Sequence, residues 1–144
     1  MSEPAYLPDV NVLIAISDPE HAGHYAAAAW HQSIRTAVFL LCPVTEAGFV
    51  RLRTNPSVGG ESMSDAILLL RRVAALPNCA HLPVSHSWLE LIQPLTPRLY
   101  GYRQVTDALL LGLAIRNGAI LVTLDRAIQA LAGEAYAANL LTLA

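Results

Sequence analysis

Short apolar runs alternate with helical patterns along the whole chain of 144 residues. This alternation predicts βαβ units, which pack as a central, mostly parallel sheet flanked by helices. We find no internal repeat and no boundary, so we expect a single α/β domain over residues 1–144. The runs predicted as strands cover residues 5–8, 37–42, 81–84 (the weakest), 119–122 and 139–143.

Helical patterns and turn residues fill the intervals between these runs. Helix 106–117 is strongly apolar and ends at Asn117 and Gly118, a pair typical of a left-handed helix end. Residues 54–60 and 93–104, which are rich in Pro and Gly, are predicted as loops. The other predicted helices cover residues 10–16, 21–33, 43–53, a segment from Ser62 or Ser64 to Leu76, 85–92, and a short stretch after Asp125.

Composition limits where such a chain acts. Hydrophobic residues make up 54% and mean hydropathy is +0.43, but no apolar run approaches the roughly 18 residues that a membrane span needs. The excess apolarity therefore indicates a sheet buried on both faces, a sticky subunit interface, or both. The N-terminal residues lack a signal-like pattern, so we expect a cytoplasmic protein. Cys42 and Cys79 lack metal-ligand spacing and are expected to pack as small apolar residues without a disulfide.

Four acidic residues lie where strand-like runs end and helical patterns begin: Asp9, Glu46, Asp107 and Asp125. Ligands of an open parallel sheet bind at this edge, outside the carboxyl ends of the strands. Carboxylates that converge there repel one another and raise each other's pKa values. A divalent cation removes that cost, so the pattern predicts a Mg²⁺- or Mn²⁺-dependent enzyme acting on a phosphate-bearing substrate.

Taken singly, each of these acids is explained as well by a structural role. Aspartate commonly caps a helix, and glutamate in a first turn stabilises the helix dipole. The remaining seven acids fall on predicted loops or helix faces, which makes the set of four informative. A net charge of −2 argues against nucleic-acid binding, but bound cations reverse the sign of the charge locally. All nine basic residues are arginines, which bind phosphate bidentately.

Four motifs in chain order resemble those of PIN-domain ribonucleases, and in particular the VapC-type toxins of bacterial toxin–antitoxin pairs. They are Asp9-Val10-Asn11, Thr45-Glu46, Thr106-Asp107-Ala108 and Leu121-Val122-Thr123-Leu124-Asp125. The first and last motifs, each following a strand, carry most of the specificity. The segment from Phe49 to Pro56 also resembles the one that follows the glutamate in these toxins.

The resemblance implies a Mg²⁺-dependent endoribonuclease, with Mn²⁺ as an alternative ion. Asp9 and Asp107 would bind the metal directly, and Asp125 and Glu46 would complete the site, directly or through water. Asn11 and Thr123 would hold carboxylates in orientation by hydrogen bonds. The implied partners are an RNA substrate and a cognate antitoxin that neutralises the toxin, with an antitoxin arginine or lysine entering the acidic pocket.

Other functions remain open on the residues alone. A receiver domain would use a lysine that this chain lacks, and an aspartate-nucleophile phosphatase would have an acid in place of Asn11. The main alternative is a non-catalytic metal- or peptide-binding α/β module. His21 and His24 have the spacing of a metal site but are expected on an exposed helix turn. Arg51, Arg53 and Arg126 are candidates for phosphate contacts or for solvated surface.

The helix at residues 65–76 is apolar over more of its circumference than one buried face requires. We expect it to form a homodimer or to bind an amphipathic antitoxin segment. The equally weighted alternative is a helix wedged between the sheet and its neighbour. No nucleophile-elbow, Gly-x-Gly-x-x-Gly or Walker motif is present.

Overall fold

The computed structural model describes residues 3–144 and contains a five-stranded sheet in the order β3-β2-β1-β4-β5, with every neighbouring pair parallel. The predicted α/β fold is therefore confirmed. The strands are short: β1 Tyr6–Pro8, β2 Phe39–Leu41, β3 Cys79–His81, β4 Ile120–Thr123 and β5 Leu140–Thr142. Strand order reverses at β1, which lies between β2 and β4, and such a reversal opens a crevice at the carboxyl edge of the sheet.

Helices connect the strands in the described part of the chain. They are α1 Val10–Ser17, α2 His24–Ile34, α3 Pro43–Thr54, α4 Met63–Ala74, α5 Trp88–Ile92, α6 Val105–Arg116 and α7 Ile128–Ala132. Three short 3-10 segments add to them: Gln93–Arg98, Tyr102–Gln104 and Ala137–Asn139. None of the helices between residues 3 and 144 has the length and apolarity needed to span a bilayer.

Helices cover both faces of the sheet. Since adjacent residues of a strand point to opposite faces, residues of one strand enter different cores. Leu40 packs into one buried cluster with α5, α6 and α7, whereas Phe39 and Leu41 pack into a second cluster with α1, α2 and α3. These two separate cores account for the high apolar content of the chain. That content predicted a sheet covered on both faces.

Gly112 in the middle of α6 permits one close contact that positions this helix. A Cβ there would collide with the carbonyl oxygen of Leu91 in α5, so only glycine allows the two helices to approach so closely. The end of α6 also follows its prediction, because Gly118 has a φ of 62° and closes the helix in the left-handed region. These two glycines fix α6, and with it the first turn that carries Asp107.

Three sequence predictions need correction. The third strand is Cys79–His81, not residues 81–84, because the register is set by pairing with β2 and not by local hydrophobicity. Residues 93–104 are not an open loop, since two 3-10 segments occupy most of it. Helix α2 begins at His24 and not at residue 21.

Candidate metal centre at the carboxyl edge of the sheet

Asp9 follows β1 directly and caps α1. Its Oδ1 accepts a hydrogen bond from the backbone N–H of Val12 at 3.0 Å, and its own N–H donates to the carbonyl of Val122 in β4 at 2.9 Å. The side chain is only 7% exposed. Asp9 is thus held both by the helix it caps and by the neighbouring strand.

Thr123, the last residue of β4, links two of the acids. Its hydroxyl donates to Oδ2 of Asp9 at 2.6 Å and accepts from the N–H of Asp125 at 2.9 Å. Asp125 in turn accepts from the N–H of Ala127 through Oδ1 at 2.9 Å. The fully buried Thr123 therefore holds the carboxylate of Asp9 and the backbone of Asp125, while the N–H of Ala127 holds the carboxylate of Asp125.

Asp107 approaches the same edge from the first turn of α6. It is half-buried, and no hydrogen bond to its side chain is found among residues 3–144. Burial raises the pKa of Asp107 to about 6, with further contributions from the negative charges of Asp9 and Asp125. Three carboxylates are therefore close enough to repel one another.

The pKa of Asp9 is also raised. Burial is the largest cause, and the charge of Asp125 adds to it, while the hydrogen bonds from Thr123 and Val12 act in the opposite direction. Both shifts have the sign expected where carboxylates converge without a compensating cation. The negative charge of Asp125 thus contributes to raising the pKa values of both Asp9 and Asp107, as the sequence predicts for converging acids.

Glu46 differs from the other three acids. It lies in the first turn of α3 after β2, and its charge is not among those that raise the pKa of Asp9 or Asp107. Its Oε1 lies 3.7 Å from Nδ1 of His81, at the end of the neighbouring strand β3. Sequence spacing gave no sign of this pair, because only the pairing of β2 with β3 brings the two residues together.

The donor set fits a hard divalent cation, since carboxylate oxygens are the ligands that Mg²⁺ and Mn²⁺ prefer. Between residues 3 and 144, no three His, Cys, Asp or Glu side chains enclose a common point closely enough to hold an ion by themselves. Mg²⁺ does not need such a cage, because it usually keeps several waters and binds through one or two carboxylates. Asp9 and Asp107 are the two acids of this edge whose pKa values are raised.

Two hollows lie beside the carboxylates. One of about 270 Å³ is lined by Asp107 and Asp125 together with Arg103 and Gln104. The other, of about 310 Å³, is lined by Asn11, Thr106 and the candidate Arg51. Arg103 thus shares a hollow with two of the carboxylates, whereas the hollow of Arg51 is lined by none of the four acids. The sequence pattern does not single out Arg103, because this residue lies within residues 93–104, which the pattern predicts as an open loop.

The remaining sequence candidates have structural roles. His21 accepts a hydrogen bond from the N–H of Gly23, and His24 hydrogen-bonds to the carbonyl of Ala15 at 2.7 Å. Both are half-buried rather than exposed, and they act on the backbone. Arg53 forms a partly buried ion pair with Glu61 and does not face the carboxylates. Both cysteines are free, as predicted.

Helix α4 packs against α3 and β3, with Leu69, Leu70 and Val73 on the second buried cluster, but part of its apolar surface stays uncovered. Ala66 is its one fully buried residue, whereas Met63, Ile67 and Leu68 are exposed. The expected excess of apolar surface therefore remains on the outside of the chain.

Comparison with known proteins agrees with this architecture. The PIN domain family matches residues 6–134. Ribonuclease VapC38 of Mycobacterium tuberculosis is 40% identical over 128 residues, covering 88% of this chain and 89% of the relative. Ribonuclease VapC39 is 37% identical over 127 residues (83% and 88%), and ribonuclease VapC44 is 35% identical over 121 residues (83% and 85%), both from the same organism.

The molecule is an α/β protein with acidic residues at the carboxyl edge of a parallel sheet. The chain belongs to the PIN-domain family, and its relatives there are VapC ribonucleases.

Proposed function

We propose that this protein is a divalent-metal-dependent endoribonuclease and the toxin of a toxin–antitoxin pair. One observation carries the proposal: burial and neighbouring negative charges raise the pKa values of Asp9 and Asp107 at the edge where this fold binds ligands. Relatives with 35–40% identity over most of the chain are named ribonucleases. Without a cation, ionisation of Asp9 and Asp107 costs free energy, and a bound divalent cation would offset that cost.

In this proposal, Asp9 and Asp107 hold Mg²⁺ or Mn²⁺, and Asp125 and Glu46 complete the site directly or through water. The cation supplies a Lewis acid that makes water a better nucleophile and stabilises charge on the phosphate. The chain's own residues keep the geometry. Thr123 holds the carboxylate of Asp9 and the backbone N–H of Asp125, and Asn11, exposed beside Asp9, is available for an orienting hydrogen bond.

The partners follow from the same proposal. RNA is the substrate, and a cognate antitoxin neutralises the enzyme, with a basic side chain entering the acidic hollow. We assign homodimer formation to the exposed apolar residues of α4, which are Met63, Ile67 and Leu68. Sedimentation of the wild-type chain and of Leu68→Glu tests this assignment, with a monomeric variant as the expected result.

The catalytic proposal is tested by incubating total cellular RNA with the purified chain in Mg²⁺ or in EDTA. Asp9→Asn suits this test, since asparagine caps a helix as well as aspartate does and the fold is retained. We expect cleavage by the wild type in Mg²⁺, none in EDTA, and a loss of at least about 100-fold in Asp9→Asn and Asp107→Asn. Glu134→Gln, which removes an exposed acid elsewhere, serves as the control and should keep full activity.

Two results would reject the proposal in different ways. Cleavage that persists in EDTA and in Asp9→Asn would mean that another site or a contaminant is responsible. Binding of Mg²⁺ or RNA without any cleavage would favour the alternative, a non-catalytic binding module.

A further inference from the structure

The segment beside the acidic hollow carries an unusual combination of side chains. Residues 98–104, here called the rim segment, include Tyr100, Tyr102 and Arg103, and no acidic residue. The two tyrosines are 87% and 81% exposed. Exposure this high leaves both rings accessible to a ligand.

The rim segment is held in place by Gln104 at its C-terminal end. Oε1 of Gln104 accepts from the N–H of Tyr100 at 2.6 Å and of Gly101 at 3.1 Å, and Nε2 donates to the carbonyl of Arg98 at 3.4 Å. A 3-10 turn at Tyr102–Gln104 then leads directly into α6. The tyrosines therefore project from an ordered backbone, at a fixed position relative to the candidate metal ligand Asp107.

Arg103 is the charged residue of the rim segment that lies next to the carboxylates. It lines the same hollow as Asp107 and Asp125, yet it has no carboxylate within ion-pair distance in residues 3–144. Its guanidinium lies 5.8 Å from the ring centre of Tyr102, and its Nε donates to the tyrosine hydroxyl at 3.3 Å. An unpaired cation next to an acidic hollow offers a contact for a phosphate that the carboxylates alone would repel.

We propose that the rim segment is a binding platform for single-stranded RNA, in which Tyr102 and Tyr100 stack on nucleobases and Arg103 contacts a backbone phosphate. The inference rests on the proposed function and adds to it the residues that contact the RNA outside the acidic centre. Exposed aromatic rings beside a cation suit unpaired bases, since the bases of a duplex are already stacked. Charge favours RNA over a basic antitoxin peptide as the occupant, because the rim segment is cationic and carries no acid.

The test measures binding of a fluorescein-labelled 10-nucleotide single-stranded RNA by anisotropy in EDTA, so that binding is read without cleavage. Tyr102→Ala should weaken binding about 10- to 50-fold, whereas Tyr102→Phe, which keeps the ring, should bind as the wild type does. Arg103→Ala should weaken binding about 5-fold and lower the salt dependence by about one ion. Tyr25→Ala is the matched control, since Tyr25 is 88% exposed on α2.

The proposal is overturned if Tyr102→Ala and Tyr25→Ala have equal effects, or if the wild type does not bind the RNA in EDTA. It is also overturned if Tyr102→Ala changes the sedimenting mass but not RNA binding, because the platform would then be a contact between copies. A chain that binds RNA through Tyr102 yet never cleaves it with Mg²⁺ would contradict the proposed function and leave the platform intact.

Discussion

Charged side chains meet in two regions of this molecule, with opposite consequences. At the carboxyl edge, Asp9, Asp107 and Asp125 bring like charges together, and the pKa values of Asp9 and Asp107 rise. At the end of α3, Arg53 and the following Glu61 bring opposite charges together. The second region holds the chain in place, whereas the first costs stability when its acids are ionised. A bound cation would offset this cost, because it neutralises the charges of the carboxylates.

The largest stability effect should come from the oppositely charged region. Arg53 pairs with Glu61, donates to the hydroxyl of Ser17 at 3.1 Å, and lies 5.9 Å from the ring centre of Phe49. Arg53→Ala removes all three contacts and leaves a partly buried carboxylate unpaired, so we expect a loss of about 2–3 kcal/mol. Urea unfolding measures it. Arg71→Ala, on the exposed side of α4, should cost less than about 0.5 kcal/mol, and equal losses would refute this account of the pair.

A smaller loss is expected at the link between the acids. Thr123→Val keeps the shape of the buried side chain but removes the donor to Asp9 and the acceptor for the N–H of Asp125. Leaving these groups unpaired should cost about 1–2 kcal/mol, again measured by urea unfolding. In the cleavage assay the same variant should lose activity, since the carboxylate of Asp9 and the backbone of Asp125 are no longer held. Full activity would show that Thr123 does not position them.

The opposite sign is expected at Asp107. Its folded pKa of about 6 lies above the ordinary 3.8, so this residue adds stability that is fully present below about pH 4 and is lost as the pH rises through 6. In EDTA at pH 7.5, Asp107→Asn should therefore be about 1 kcal/mol more stable than the wild type, after allowance for solvent screening and the helix dipole. At pH 4 the gain should vanish.

Thermal unfolding monitored by circular dichroism at both pH values checks this. Glu46→Gln is the matched comparison, because Glu46 does not raise the pKa of Asp9 or Asp107. Its stability should change by less than about 0.5 kcal/mol. A gain at pH 4 as large as that at pH 7.5 would show that ionisation of Asp107 is not the cause.

Much of the architecture was predictable because apolar runs, caps and turn residues act locally. Asp9 caps α1 and Gly118 closes α6 as the sequence indicates. The strand at Cys79–His81 was misplaced because its residues lack a strong β pattern, and pairing with β2 selects them. The 3-10 turns of the rim segment have no hydrophobic period, so Arg103 and its neighbours were passed over.

The candidate site divides in the same way. Asp9 and Asp125 each follow the carboxyl end of a strand, and such ends share one edge of a parallel sheet, so the sequence predicts that both lie at this edge. The distance between Glu46 and the other acids depends on how α3 packs, and its contact with His81 depends on strand order. Neither leaves a local signal. Strand ends were therefore predictable, whereas contacts across the sheet were not.

The central claim is that the acidic edge is stabilised by a divalent cation, and a metal titration of thermal stability tests it most directly. Thermal unfolding of the wild type is measured at pH 7.5 in 0 to about 10 mM MgCl₂, with NaCl holding the ionic strength constant. Asp107→Asn and the control Glu134→Gln are measured under the same conditions. At ten times the dissociation constant, binding adds about 1.4 kcal/mol, which raises Tm by about 3–5 °C. We predict this rise in the wild type and in Glu134→Gln but not in Asp107→Asn. No rise in the wild type, or an equal rise in all three, would contradict the claim.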